Sequence, residues 1–335
     1  MTAISVIMPV LDEEAEIEAS VRAVLAQEVP GELEVVLAVG PSTDDTLAIA
    51  HRIAARDDRV QVIDNPSGRT PDGLNAALAV ARHPVVVRVD AHGELSPGYL
   101  RTAVEVLERT GAANVGGIMH AVGRTAFERA VAVAMGSPLG VGGARFHTGG
   151  GEGPSDTVYL GCFRREWLDR VGGYDAHFDR AQDWEMNWRI RQAGGVVWFT
   201  PDLRVTYRPR GSLRALARQY RDYGRWRRVV AAVHEGSINL RYLAPPTALV
   251  GVVAGTVLGA AWRPALLAPG GYLTGVVLGG LWEARHEEPA VAARVPLVIG
   301  TMHMSWGWGF LTSPRRLRDV QRPGRPVGDT PAVTA

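Results

Sequence analysis

The chain has one cysteine, Cys162, in 335 residues, which excludes an internal disulfide framework and suits a reducing compartment. It has almost no net charge. Its 36 basic and 35 acidic residues leave a formal +1, so there is no overall positive field to draw it to nucleic acid, and no such partner is expected. The N-terminus, Met1-Thr2-Ala3-Ile4, has neither a basic n-region nor a long apolar h-region, so no cleavable signal peptide is expected. The charge that is present is spread unevenly: Asp and Glu are frequent up to Glu185, whereas Arg crowds Arg204 to Arg228.

Long apolar runs are confined to the C-terminal third. Leu243–Trp262 and Ala265–Trp282 contain no charged residue, and Val291–Leu311 carries only Arg294 and His303. Each is roughly 20 residues, the length an α-helix needs to cross a bilayer. Tyr242, Trp262, Tyr272, Trp282, Trp306 and Trp308 fall mostly near the run ends, as in an interfacial aromatic belt. The pattern predicts a membrane region of two or three segments over 242–312; buried helices of a soluble domain are the competing reading.

The first two hundred residues alternate strand and helix signals. Apolar β-branched runs at Ile4–Met8, Glu34–Val39, Val60–Ile63 and Val85–Val89 predict strands. Helical patterns follow at Ile17–Leu25, Thr46–Ala55 and Leu74–Ala81. Such alternation implies an α/β fold, a mostly parallel sheet with helices on both faces, whose ligands gather at the carboxyl ends of the strands. The glycine-rich stretch Gly136–Gly153 reads as a mobile flap or a plain connection. Further on, Arg214, Arg218, Arg221, Arg225 and Arg228 recur every three or four residues. They form one stripe of a helix over 211–241 that suits either solvent or anionic headgroups.

Val87-Arg88-Val89-Asp90-Ala91-His92 ends the fourth strand with an Asp and a His two apart. Both can face one ion, and a carboxylate with an imidazole can bind Mg²⁺ or Mn²⁺ beside a diphosphate; a capping Asp with a surface His is the alternative. Gln182-Asp183-Trp184-Glu185 opens an amphipathic segment, where Asp183 can take a proton from an attacking hydroxyl or serve as an N-cap. Trp184 offers a flat apolar face to a ligand ring, or fills the core.

Taken in order, Pro9-Val10-Leu11-Asp12-Glu13-Glu14, Gly40-Pro41-Ser42-Thr43-Asp44-Asp45-Thr46, the loop Asp64–Asn75 and Asp90-Ala91-His92 resemble the motifs of family 2 glycosyltransferases of the GT-A fold. The resemblance covers Ile4 to Trp226. R-V-D-A-H at Arg88–His92, D-T-V-Y-L-G at Asp156–Gly161, Q-D-W-E-M-N at Gln182–Asn187 and R-Q-Y-R-D-Y-G at Arg218–Gly224 are most similar to the ExoA-like exopolysaccharide transferases of that family. The resemblance implies an inverting transferase with a catalytic domain over 1–210 and a basic, then disordered tail over 313–335. The implied donor is a nucleotide-diphosphate sugar, a UDP-sugar in the first instance, with a divalent metal, Mg²⁺ or Mn²⁺, on Asp90 and His92. Pro9, Val10, Glu13, Asp44, Asn75 and Asp90 would bind the donor, and Asp183 would be the catalytic base. Trp184, Gln219, Arg225 and Trp226 would face the acceptor or the departing diphosphate. The acceptor would be lipid-linked or a growing glycan, at the plasma membrane, with the catalytic domain cytoplasmic.

Two positions depart from the family pattern. Val39 stands where a base-reading Asp is usual, and Tyr207 where a further metal-binding His is usual. They lend weight to a catalytically silent membrane scaffold; a sugar nucleotidyltransferase is the other alternative, although Pro9–Glu14 lacks its expected glycine-rich loop. The basic clusters before the first apolar run and after the last both favour the cytoplasm. Three crossings would separate them, which makes the third run the doubtful span.

Overall fold

The computed structural model describes residues 2–317; residues 318–335 of the expected tail lie outside them. Nine strands form one sheet: β1 (Ile4–Val10), β2 (Leu33–Val39), β3 (Val60–Asp64), β4 (Val85–Arg88), β5 (Glu94–Leu95), β6 (Asn114–Ala121), β7 (Gly153–Pro154), β8 (Tyr159–Arg164) and β9 (Val197–Tyr207). The order is β3-β2-β1-β4-β8-β6-β9-β5, with β7 on β9. The four strands read from the sequence form the parallel block β3-β2-β1-β4. Beyond it the sheet is mixed, because β8 runs antiparallel to both β4 and β6, while β6 and β9 are again parallel.

Alternation along β1 explains why both faces are covered. Ile4, Val6, Met8 and Val10 point into one core with α1 (Ile17–Leu25), α2 (Thr46–Ala54) and, across the sheet, α4 (Tyr99–Thr110). Ile7 points into the other, with α3 (Thr70–Val80), α8 (Arg165–Val171) and α9 (Gln182–Gln192). β2 is buried along its whole length, the condition of a strand sandwiched between helix layers.

Between β6 and β7 lie α5 (Ala126–Met135), α6 (Pro138–Val141) and α7 (Arg145–Thr148). The glycine-rich stretch is therefore folded into short helices rather than an open flap. Gly140 sits so close to α5 that a Cβ there would meet the Ala134 carbonyl at 2.0 Å.

The C-terminal third is helical: α10 (Leu213–Val233), α11 (Leu240–Leu258), α12 (Leu267–Glu283), α13 (Pro289–Ala292) and α14 (Val295–Leu311). Two segments, Leu240–Leu258 and Arg263–Glu283, are long and apolar enough to cross a membrane. Only 11% and 22% of their apolar windows are buried, opposite to the core helix of a soluble protein. Leu258, Leu267, Leu273, Leu278 and Trp282 stand exposed on them, and Trp262 stands exposed between them.

The third apolar run behaves differently. Val295, Val298, Ile299 and Met302 of α14 are fully buried, and its backbone lies directly on α10. A Cβ at Gly309 would fall 1.9 Å from the Arg221 carbonyl oxygen, and one at Gly224 would fall 2.0 Å from that of Trp306. Small residues permit this approach, which makes α14 a packing partner of α10, unlike the two exposed apolar segments. The arginine stripe of α10 is correspondingly divided. Arg214 and Arg218 are exposed. Arg221 and Arg225 share Asp222, and Arg228 lies 5.2 Å over the Phe310 ring of α14. The stripe, read from the sequence as facing either solvent or headgroups, is therefore not one continuous exposed face.

Candidate active site

Strand register lines up the loops that carry the motifs. Val10 pairs with Val39 and Val39 with Asp64, and Ile7 pairs with Arg88, so the chain leaves four neighbouring strands at one sheet edge. The first two loops are knitted together. Asp12, at φ 52, accepts from Thr43 N at 2.7 Å. Glu13 N donates to Thr46 Oγ1 at 2.7 Å, and Glu14 N donates to Asp44 at 3.2 Å. Asp44 also accepts from the Thr46 hydroxyl and amide, and these bonds hold its carboxyl below its ordinary pKa. Its carboxylate is thus engaged in shaping the loop.

At the next loop, His92 Nδ1 meets Glu13 Oε1 at 2.8 Å. Glu13 and the nearby Asp90 raise the imidazole pKa. Asp90 is held through Oδ1 by Arg88, Nη2 at 2.8 Å and Nε at 3.1 Å. The same Arg88, only 5% exposed, donates its other amino group to Asp183. One guanidinium therefore ties the strand carboxylate to the helix carboxylate. Sequence reading passed over Arg88; its signal was a lone charge in an apolar strand, two residues from Asp90 and so on the same side.

Asp183 does not cap its helix. The N-cap of α9 is Ala181, at φ 64, with no side-chain cap bond. A left-handed non-glycine residue costs about 1 kcal/mol, and here it turns the first turn of α9 so that Asp183 faces Arg88. Burial and Asp90 raise the Asp183 carboxyl while Arg88 lowers it, and the balance stands at about 6. A base poised there is ionised at neutral pH yet basic enough to take a proton.

No group of three or more His, Cys, Asp or Glu side chains suited to a metal occurs among the described residues. The pair Asp90 and His92 nevertheless has the right chemistry. Glu13 occupies His92 Nδ1 and leaves Nε2 as the nitrogen that could take a metal, the usual division of labour in a metal-bound imidazole, and Arg88 occupies only Oδ1 of Asp90.

The remaining expected residues divide. Pro9 is half-buried at the edge, but the Val10 side chain lies in the core at 1% exposure, so it cannot line a pocket. Asn75 binds the Tyr174 backbone reciprocally, at 2.7 and 2.8 Å. It clamps the approach to α9, and its amide is not free for a donor. Trp184 is buried, stacked on Trp188 at 5.5 Å with Arg227 4.1 Å over its ring, so a sugar finds no open face there. Trp226 is a core residue packed on His177 and Phe178, and Arg225 turns to Asp222. Gln219 does reach the site wall, donating to the Tyr207 and Tyr223 hydroxyls at 2.8 and 2.9 Å. Two exposed arginines not singled out from the sequence, Arg180 and Arg210, direct their charge at Tyr223, and Arg210 also at His92.

The sequence profile of glycosyl transferase family 2 matches residues 5–172, ending before Asp183. Succinoglycan biosynthesis protein ExoA of Rhizobium meliloti (strain 1021) is 32% identical over 319 residues, covering 95% of this chain and 96% of that protein. A dolichyl N-acetyl-alpha-D-glucosaminyl phosphate 3-beta-D-2,3-diacetamido-2,3-dideoxy-beta-D-glucuronosyltransferase of Methanococcus voltae is 23% identical over 254 residues, 73% of this chain and 78% of that protein. Among solved structures, the mannosyltransferase PcManGT of Pyrobaculum calidifontis, in complex with GDP-Man and Mn²⁺, aligns with a TM-score of 0.59 at 20% identity over 92% of this chain and 86% of its own. S. aureus TarS 1–349 aligns with a TM-score of 0.51 at 15% identity, over 89% and 90%. These two likenesses establish a GT-A-like fold.

Proposed function

The chain belongs to glycosyl transferase family 2, and we propose that it is an inverting, membrane-bound transferase that extends a lipid-linked or nascent polysaccharide acceptor. The observation that carries this reading is the Asp90–Arg88–Asp183 constellation at the sheet edge, with Asp183 poised at about 6. The acceptor hydroxyl oxygen bonds to the anomeric carbon from the face opposite the donor phosphate. The bond from that carbon to the phosphate oxygen breaks, and the hydroxyl proton passes to Asp183. Arg180 and Arg210 are placed to meet the negative charge of the leaving nucleoside diphosphate. Asp90 and His92 would hold a divalent cation, Mg²⁺ or Mn²⁺, which when bound neutralises charge on that diphosphate.

The donor is a nucleotide-diphosphate sugar, with a UDP-sugar as the first to test. Val39, 4% exposed and without a polar side-chain atom, cannot read the base edge, so other groups at the pocket set base preference. The polysaccharide role rests on the similarity to ExoA over nearly the whole of both chains.

The exposed apolar helices support a hairpin in the plasma membrane with the catalytic domain cytoplasmic. Its two open ends rest on α14, through Gly307 against Pro245 and Gly280 against Pro296, and its tip lies near Trp262–Leu266. Two crossings, unlike three, put the basic segments before α11 and after α14 on one side.

The test is nucleotide release by the detergent-purified protein, offered a panel of nucleotide sugars with a lipid-pyrophosphate-linked glycan. Acceptor-dependent release from one donor is expected. Release from none, with the protein folded and Mn²⁺ present, would leave the silent-scaffold reading in its place.

A further inference from the structure

On the far side of the first turn of α9, one residue from Asp183, lies a cluster that the sugar-transfer constellation does not use. Arg227 of α10 places its guanidinium carbon 4.1 Å from the ring centres of both Trp184 and Tyr242. Arg241, in the first turn of α11, lies 4.8 Å over Tyr242, bonds its hydroxyl at 2.6 Å and pairs with Asp156. His147 of α7 is half-buried beside Arg241, and desolvation with that positive neighbour pushes its imidazole down to about 3, so it is neutral.

Four polar atoms here are sealed from solvent without a hydrogen-bond partner among the described residues: Arg227 Nη1, Arg241 Nε, Trp184 Nε1 and His147 Nδ1. Each orphaned buried donor costs about 1–3 kcal/mol, and native proteins carry few of them. Three are obligate donors and the fourth can donate, so the missing partner is rich in acceptors. Two guanidinium charges against one carboxylate make it an anion. Next to the cluster opens a cleft of about 620 Å³, lined by Gly143, Ile238, Asn239, Leu240, Arg241 and Leu243. It is apolar apart from Asn239 and Arg241, and it lies where α11 begins.

We propose that Arg227 and Arg241, with Trp184 and His147, bind the phosphate of a lipid-linked acceptor whose hydrocarbon chain leaves through the cleft along α11. This rests on the lipid-linked acceptor of the proposed function and names the groups that recognise it. Binding there sets the phosphate against the first turn of α9, where Asp183 directly precedes Trp184, so the acceptor sugar has to pass around that turn to reach the base. The donor diphosphate occupies the opposite side, at Asp90 and His92.

The test titrates the full-length protein in detergent micelles, without donor, by native mass spectrometry. The probes are undecaprenyl phosphate, undecaprenol and inorganic phosphate. Undecaprenyl phosphate should bind about tenfold or more tighter than undecaprenol, since a charge-assisted hydrogen bond is worth that much or more. Arg227→Gln and Arg241→Gln should each weaken the phosphate lipid by a similar factor, and Arg241→Lys should restore part of the loss. Equal binding of the phosphate and the alcohol by the parent protein would overturn the inference, without depending on any variant. Inorganic phosphate binding as tightly as undecaprenyl phosphate would also overturn it, leaving a free-anion site. Because no donor is present, failure here is distinct from failure of sugar transfer, which the nucleotide-release assay reads separately.

Discussion

Arg88 and Asp183 stand 95 positions apart in the chain and meet as an ion pair. The partnership joins the sheet edge, where the donor diphosphate would lie, to the helix that carries the proposed base. It also sets the basicity of Asp183, because the guanidinium pulls down a carboxyl that burial and Asp90 push up.

Replacing Arg88 with Gln removes that pull. A neighbouring opposite charge is worth roughly 1–3 pKa units, so the acidic limb of the kcat–pH profile should move upward by that amount from about 6. The sign follows from the role: the base works deprotonated, so activity is lost as pH falls through its pKa. A limb that stays in place in Arg88→Gln would mean that Arg88 does not tune the base.

Asp90→Ala should abolish transfer and weaken donor binding, because the diphosphate would lose its cation. His92→Ala should raise the Mn²⁺ concentration needed for half-maximal rate while leaving measurable activity, since Asp90 remains. Both effects are read by rate against added metal after chelation. Full activity in excess chelator would remove the metal from the account and leave Asp90 as a partner of Arg88 alone.

The membrane hairpin is checked by cysteine labelling, because the native Cys162 is buried. Ala261→Cys, at the exposed hairpin tip, should react with an impermeant maleimide added to intact cells. Glu105→Cys, exposed on α4, should react only after lysis. Equal labelling of both positions in intact cells would contradict two crossings.

The sequence made the parallel block legible because its strands are short apolar runs, each followed by a motif-bearing loop. Asp90, His92 and Asp183 could be picked out as candidates, because their order along the chain matched the motifs of the family the chain resembles. The engagement of each side chain was not legible. Asn75 had the chemistry of a donor contact, yet it closes on the Tyr174 backbone. Trp184 had the face of a sugar platform, yet Trp188 and Arg227 cover it. Both outcomes depend on segments brought together only by the fold. The third apolar run was hydrophobic enough to read as a span, and only the backbone contact of Gly309 with Arg221 shows that α10 covers it. β5 to β9 went unread, being either very short or interrupted by shifts of register.

The central claim is that Asp183 takes the acceptor proton, and Asp183→Asn tests it most directly. Asparagine keeps the size of the side chain and can still contact Arg88, but it cannot accept that proton at neutral pH. Donor affinity, measured by calorimetry, should stay near the parent value. Initial-rate turnover should fall by roughly 10²–10⁴-fold, the usual contribution of a positioned base. An Asn variant that binds donor and turns over at the parent rate would contradict the account.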